Sequence, residues 1–339
     1  MKSTIITKIL ALILALTFVF ALQACSAPAE NTPDTPNTED GLNTDLKINV
    51  SVLNGTTGFG MAKLMSDKSN GNSTLNYNFK VETDASVITA GLISKDIDIA
   101  ALPTNAASVL YNKTNGGVKV LALNTLGVLY VVENGNSIKA IEDLNGKTVY
   151  CPAQNPAFIM EYVCKLNGIN VTIDTSFAQP AALMQYMAGS PAGAIAVLPE
   201  PVLSVAKSKN ANLTTVLDLT EEWGKKATDS QLVQGCIVVR TEFLEAHPAE
   251  VAEFLKAYEA SVNYVNTNTA ETAALVVDLG IYAGAAAVAE KAIPKCNIKF
   301  VAGAEMKTAL SGFLAAMESV NAASIGGKLP SDGFYYNAQ

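Results

Sequence analysis

From residue 47 onward, apolar positions switch repeatedly between a period of two and a period near 3.6. "KINVSVL" (47–53) alternates as a strand does, then "NGTTGFG" (54–60) reads as a turn and "MAKLMSDK" (61–68) as a helix. The rhythm continues with a strand at "YNFKVET" (77–83) and a helix at "ASVITAGLISK" (85–95), apolar at Val87, Ile88, Leu92 and Ile93. "DIAAL" (98–102) and "VKVLALN" (118–124) are further strands, separated by a helix opening near Asn105. After the apolar run "GVLYVVEN" (127–134) the series restarts: strand 146–151, helix 157–168, strand 169–174, helix 180–189, strand 192–198, helix 201–209 and strand 211–219. Alternating strands and helices predict layered α/β architecture with largely parallel sheets. "IAALPTN" (99–105) and "IAVLPEP" (195–201) hold the same station in each series, so the chain reads as two similar lobes. Beyond "GCIVVR" (235–240) the pattern is almost wholly helical to about residue 321. "HPAEVAEFLKAYEASVNYV" (247–265) has Pro248 and Glu250 in its first turn and one apolar face.

The chain begins differently. Lys2 and Lys8 precede the apolar run "ILALILALTFVFAL" (9–22), too short for a permanent span and followed at once by polar sequence. Residues 1–24 are therefore expected to be a signal peptide. Leu22-Gln23-Ala24-Cys25 resembles the bacterial lipobox, which implies diacylglyceryl attachment to Cys25 and anchoring outside the cell membrane. Residues 25–46, rich in Pro, Thr, Asn and acidic side chains, read as a flexible tether.

Composition narrows the chemistry. With 339 residues, 49% of them hydrophobic, the chain has material for two lobes. A formal charge of −8 opposes nucleic-acid binding, which needs a basic face. Arg240 and His247 are the only residues of their types. His247, just before Pro248, is poorly placed for a catalytic triad. "GSPAG" (189–193) is not a nucleophile elbow, "GKT" (146–148) lacks the upstream glycine of a phosphate loop, and "GTTGFG" has the wrong glycine order for a dinucleotide fingerprint. No metal-ligand spacing occurs, so neither a metal nor a cofactor is expected and the chain reads as a non-enzyme. For Cys151, Cys164, Cys236 and Cys296, burial as small apolar residues and a Cys151–Cys164 disulfide both stay open.

In open parallel sheets, ligands bind beyond the carboxyl ends of strands, where helix amino termini present free N–H groups. Four strand-to-helix corners then line a cleft between the lobes. The expected ligand contacts are Asn54, Thr56, Thr57 and Phe59 in the first corner and Thr104 and Asn105 in the second. Gln154, Asn155 and Phe158 come from the third, and Glu200 from the fourth.

Taken in order, the lipobox, "TTGFGMAKLM", "DIAALPTNAASVLYNK", "AIEDLNGKTV", "VLPEP" and "FLEAHPAEVAEFL" resemble the substrate-binding proteins of ABC importers. The branch includes the nitrate, sulfonate and taurine binders and the thiamine-pyrimidine (THI5-like) binders. The resemblance implies a type II periplasmic-binding-protein fold: two α/β lobes joined by two crossover strands, near Asn124–Leu126 and Val233–Gly235. Lobe I would comprise 47–125 and 236–339, and lobe II 126–235. It also implies an extracytoplasmic monomer that closes on a small solute and delivers it to an ABC permease. The poverty in arginine and histidine departs from members that grip oxyanions. A neutral or weakly basic organic solute is favoured, with a sulfonate or other anion still admitted. The alternatives are a ligand-sensing lipoprotein serving a receptor, or an enzyme of pyrimidine or menaquinone pathways on the same scaffold.

Overall fold

The computed structural model describes residues 41–228 and 230–337. The signal segment, Cys25 and the tether up to residue 40 lie outside the described residues.

Two sheets organise the chain. The first holds β1 (Lys47–Leu53), β2 (Asn76–Glu82), β3 (Ile99–Pro103), β4 (Val118–Leu126), β10 (Val233–Arg240) and β11 (Ile298–Ala302), in the order β11-β4-β10-β3-β1-β2. The second holds β5 (Leu129–Asn134), β6 (Thr148–Tyr150), β7 (Thr172–Asp174), β8 (Ile195–Pro199) and β9 (Leu213–Asp218), in the order β7-β6-β8-β5-β9. Apart from β11 the sheets share one layout, and, against the expectation of largely parallel sheets, five of the nine strand pairings are antiparallel. β1 pairs in parallel with β2 and β3, as β6 does with β7 and β8. The returning strand β10 lies antiparallel between β3 and β4, and β5 lies antiparallel between β8 and β9. The echoing segments at 99–105 and 195–201 thus fall on β3 and β8, equivalent strands of the two lobes.

Helices follow the strands: α1 (Thr56–Phe59) and α2 (Ala62–Ser69), α3 (Ala85–Ser94), α4 (Thr104–Thr114), α5 (Asn155–Asn167), α6 (Pro180–Ala188), α7 (Val202–Lys209) and α8 (Leu219–Lys226). Local chemistry sets their ends. The Asp84 carboxylate accepts the Ser86 N–H at 2.8 Å to open α3, and Asp218 does the same for Thr220 at 2.7 Å to open α8. Gly168, at φ 65°, closes α5 in the left-handed conformation that glycine adopts without strain. After β10 come α9 (Thr241–Ala246), α10 (Pro248–Thr267), α11 (Thr269–Asp278), α12 (Ala286–Ala292) and α13 (Gly303–Asn321).

The helical reading of this last region misses one strand. β11, "IKFVA", pairs antiparallel with β4 at the sheet edge. Five residues flanked by helices carry too little periodicity to announce an edge strand.

Apolar packing is unequal on the two faces of the crossovers. On one face a single cluster runs from α3 and α4 in lobe I, across α13, to α5 and α8 in lobe II. There Trp223 of α8 lies with its ring 5.8 Å from Phe313 of α13. On the other face two clusters stay separate, one under α2 and α10 in lobe I and a smaller one under α6 and α7 in lobe II.

The chain leaves the first sheet after Leu126 and returns at Val233. Gly127 follows the outgoing strand, where a Cβ would overlap Thr220 Oγ1 and come within 2.8 Å of Leu232 Cδ2. Only glycine leaves room for these two side chains beside the crossover.

Arg240 is structural. Its Nη2 donates to Asp98 Oδ1 at 2.7 Å and its Nε to the Ile97 carbonyl at 3.0 Å, joining β10 to the loop before β3. The thiols of Cys151, Cys164, Cys236 and Cys296 are free and buried, and burial pushes Cys164 up to about 11.

Candidate functional site

In lobe I, the first corner springs from the end of β1. The Asn54 N–H donates to the Glu82 carbonyl at 2.9 Å and the Gly55 N–H to the Ile281 carbonyl at 2.8 Å, so the turn is anchored on both sides. Thr56 and Thr57 are half-buried. Their carbonyls accept from Thr125 Oγ1 at 3.4 Å and Asn124 Nδ2 at 2.8 Å, which ties the corner to the end of β4. Phe59 departs from expectation. It is fully buried, edge-on to Tyr282 at 6.1 Å, and belongs to the lobe I core. A ring without accessible surface offers no platform for stacking.

Corner two begins one residue earlier than the sequence suggests. Pro103 precedes the helix and Thr104 is its first residue, so Asn105 lies inside the first turn and makes no capping bond. Thr104 is also fully buried, its hydroxyl donating to the Val233 carbonyl at 3.0 Å. That bond holds the returning crossover, leaving Asn105 as the side chain of this corner that meets open space.

Lobe II supplies the other two corners. At the third, Gln154 is exposed and sits at φ 66°, a left-handed backbone uncommon outside glycine. Asn155 follows as the first residue of α5, its Oδ1 buried without a hydrogen-bond partner. Phe158, one turn on, is half-buried against the shared core. At the fourth, Glu200 is 2% exposed and turned onto its own helix. Its Oε2 accepts the Ser204 N–H at 3.0 Å and its Oε1 the Ser204 hydroxyl at 2.9 Å. Burial raises this carboxyl above its ordinary range, against the lowering effect of the Ser204 bonds and of the Lys295 and Lys207 charges. Glu200 therefore caps α7.

The corners divide by face. The first and fourth stand where the two lobes keep separate cores, the second and third where the core is continuous. Between the second and third lies a cavity of about 390 Å³, of the size that holds small organic ligands. Asn105, Gln154 and Phe158 line it, brought together from the two lobes. The remaining wall is formed by α3, α4 and the turn after α13, with Ser86, Thr89, Ile93, Lys113 and Ser324 among its residues. Sequence reasoning missed these five. A signal existed for one: Ile93 belongs to an apolar helix yet is 51% exposed, as is Val87 at 50%, and only Ile88 and Leu92 of that helix are buried. Ser324 has no motif, and its buried Oγ lacks a partner.

The lining carries hydroxyls and carboxamides, apolar walls, no carboxylate, and one cation, Lys113. No base stands beside a nucleophile in it. Such a site can hold a solute through uncharged donors and acceptors.

Two sheets of matching layout, joined by two crossovers around a cavity lined from both, define a bilobal binding fold of the periplasmic-binding-protein kind. Within it, residues 118–272 match the NMT1/THI5-like family model. An ABC transporter protein from Parabacteroides distasonis is similar at 28% identity, over 86% of this chain and 99% of that one, with a TM-score of 0.72. The periplasmic aliphatic sulphonate binding protein SsuA from Escherichia coli shares the fold at 11% identity, over 86% and 92% of the chains, with a TM-score of 0.68. The alkanesulfonate-binding protein SsuA from Xanthomonas axonopodis pv. citri, solved with bound MOPS, does so at 9% identity, over 88% and 100%, with a TM-score of 0.60. No curated protein matches the chain by sequence. No helix among the described residues is long and apolar enough to cross a membrane.

Proposed function

We propose that the protein is the extracytoplasmic solute-binding component of an ABC importer. In this reading it captures a small organic solute between its lobes and presents the closed form to a membrane permease, without catalysing a reaction. The observation that carries it is the interlobe cavity of about 390 Å³, where strand-end corners of both lobes converge with uncharged polar side chains. Three similar solved structures, by name an ABC transporter protein and two sulfonate-binding proteins, support the class.

The solute is neutral or weakly basic. Lys113 is the one charge in the lining and is itself exposed, so a strongly held anion would lack the guanidinium or imidazolium partner that such ligands favour. A cation would find no carboxylate in the lining. Cys25, lipidated and joined by the 25–46 tether, would hold the domain at the outer face of the membrane.

The test is a thermal-shift screen over thiamine precursors, flavins, sulfonates, nitrate and amines, since a compound that binds the folded state raises its melting temperature. The reading expects an uncharged or weakly basic hit. Ile93→Trp, which fills the cavity from an exposed position, should abolish that shift while leaving the ligand-free melting temperature in place. A hit whose shift survives Ile93→Trp would place the solute elsewhere.

A further inference from the structure

The two faces of the crossovers are closed by different means. On the continuous face, α13 joins the lobes by apolar packing. On the divided face the two cores end short of one another, and polar contacts span the gap. Tyr130, the second residue of β5 in lobe II, donates its hydroxyl to the Lys295 carbonyl of lobe I at 2.9 Å. Two residues along, Asn297 Nδ2 donates to the Gly127 carbonyl at 2.8 Å, and the Asn297 carbonyl accepts the Leu126 N–H at 3.1 Å. Asn297 is held at φ 45°, a left-handed conformation that asparagine tolerates better than most residues. Nearby, α12 of lobe I rests on α7 of lobe II.

We propose that Tyr130 is a positioning residue for solute capture: its hydroxyl on the Lys295 carbonyl latches the divided face shut, and Asn297 fixes the segment that receives it. The purpose of the latch rests on the solute-capture reading; its geometry does not. Tyr130 lines no part of the cavity, so its effect on binding runs through the closed arrangement alone. Burial, then the nearby Asp218 and Glu200 carboxylates, push its hydroxyl above the usual tyrosine range, so it stays a donor at neutral pH. Opening the divided face breaks this bond. It leaves Trp223 against Phe313 on the opposite face undisturbed.

The experiment uses the ligand-free protein with spin labels at Lys291→Cys on α12 and Lys209→Cys on α7, both exposed, and reads the interlobe distance by pulsed electron resonance. Removing one hydroxyl-to-carbonyl bond with Tyr130→Phe should raise the open fraction about fivefold. Trp223 emission, a reporter of the other face, should not move. Asn297→Ala should shift the distances in the same direction, which keeps the test decisive if Tyr130→Phe folds poorly. Wild-type distances in both variants would overturn the latch. The two readings fail separately. Lobes that open in Tyr130→Phe while no compound of the screen binds the wild type support the latch and sink solute capture. A compound that binds, with variants that stay closed, does the reverse.

Discussion

Gly127→Ala puts a methyl group at the outgoing crossover, where the new Cβ overlaps Thr220 Oγ1 and lies 2.8 Å from Leu232 Cδ2 and 3.0 Å from Leu232 Cγ. The leucine methyl sits at the end of a side chain and can turn away. Thr220 Oγ1 is buried and sits one bond from a branched Cβ, so it can move only by a χ1 flip within packed surroundings. Overpacking of this kind costs about 2 kcal/mol. With an unfolding entropy near 2.1 cal/mol/K per residue over roughly 300 ordered residues, the melting temperature should fall by about 3 °C. Thr220→Ala removes the overlapping oxygen, which is itself buried without a partner, so that change alone should cost little. The double variant should recover about half of the loss, a coupling near 1 kcal/mol in a double-mutant cycle. Urea titration followed by circular dichroism supplies the free energies. Strict additivity of the two substitutions would refute the account of why glycine stands there.

Three further outcomes follow from other sites. Glu200 has its folded pKa raised, so its contribution to stability is complete below the unfolded value and is lost as pH rises through the folded one; Glu200→Gln should therefore be more stable than wild type near pH 7 and lose that advantage below about pH 4. Melting curves across that range check the sign, and a variant equally stabilised at both ends contradicts it. Arg240→Leu strands the Asp98 carboxylate, itself 5% exposed, and should destabilise by about 3 kcal/mol in chemical denaturation. Phe313→Ala opens a void beside the lone tryptophan and should cost about 3 kcal/mol, with a red shift of Trp223 emission; an unshifted spectrum would mean that the seam is packed by other groups.

Most of the strand and helix pattern up to residue 219 was readable because each element repeats its apolar period long enough to be counted, whereas α8, with only Leu219 and Trp223 apolar and large in "LTEEWGKK", was passed over. The echo of 99–105 in 195–201 even located equivalent strands. β11 was not readable, since an edge strand of five residues with Lys299 in it resembles the helices around it. At the site, sequence could mark the corners but not the direction of each side chain. Thr104 and Glu200 have the residue types of ligand contacts, yet one bonds a crossover carbonyl and the other its own helix. Phe59 was drawn inward by its apolar surface. The wall from α3 and the turn at Ser324 comes from segments far apart along the chain, a juxtaposition that no local pattern encodes.

Because α13 lies against α5 and α8 as well as against its own sheet, lobe II does not carry a complete interior. Residues 129–232 produced as a separate polypeptide would bare the ring of Trp223 and the neighbouring methyl groups to water. An excised insert should therefore be less stable than the same segment in the intact protein, because the chain's last long helix supplies part of its interior.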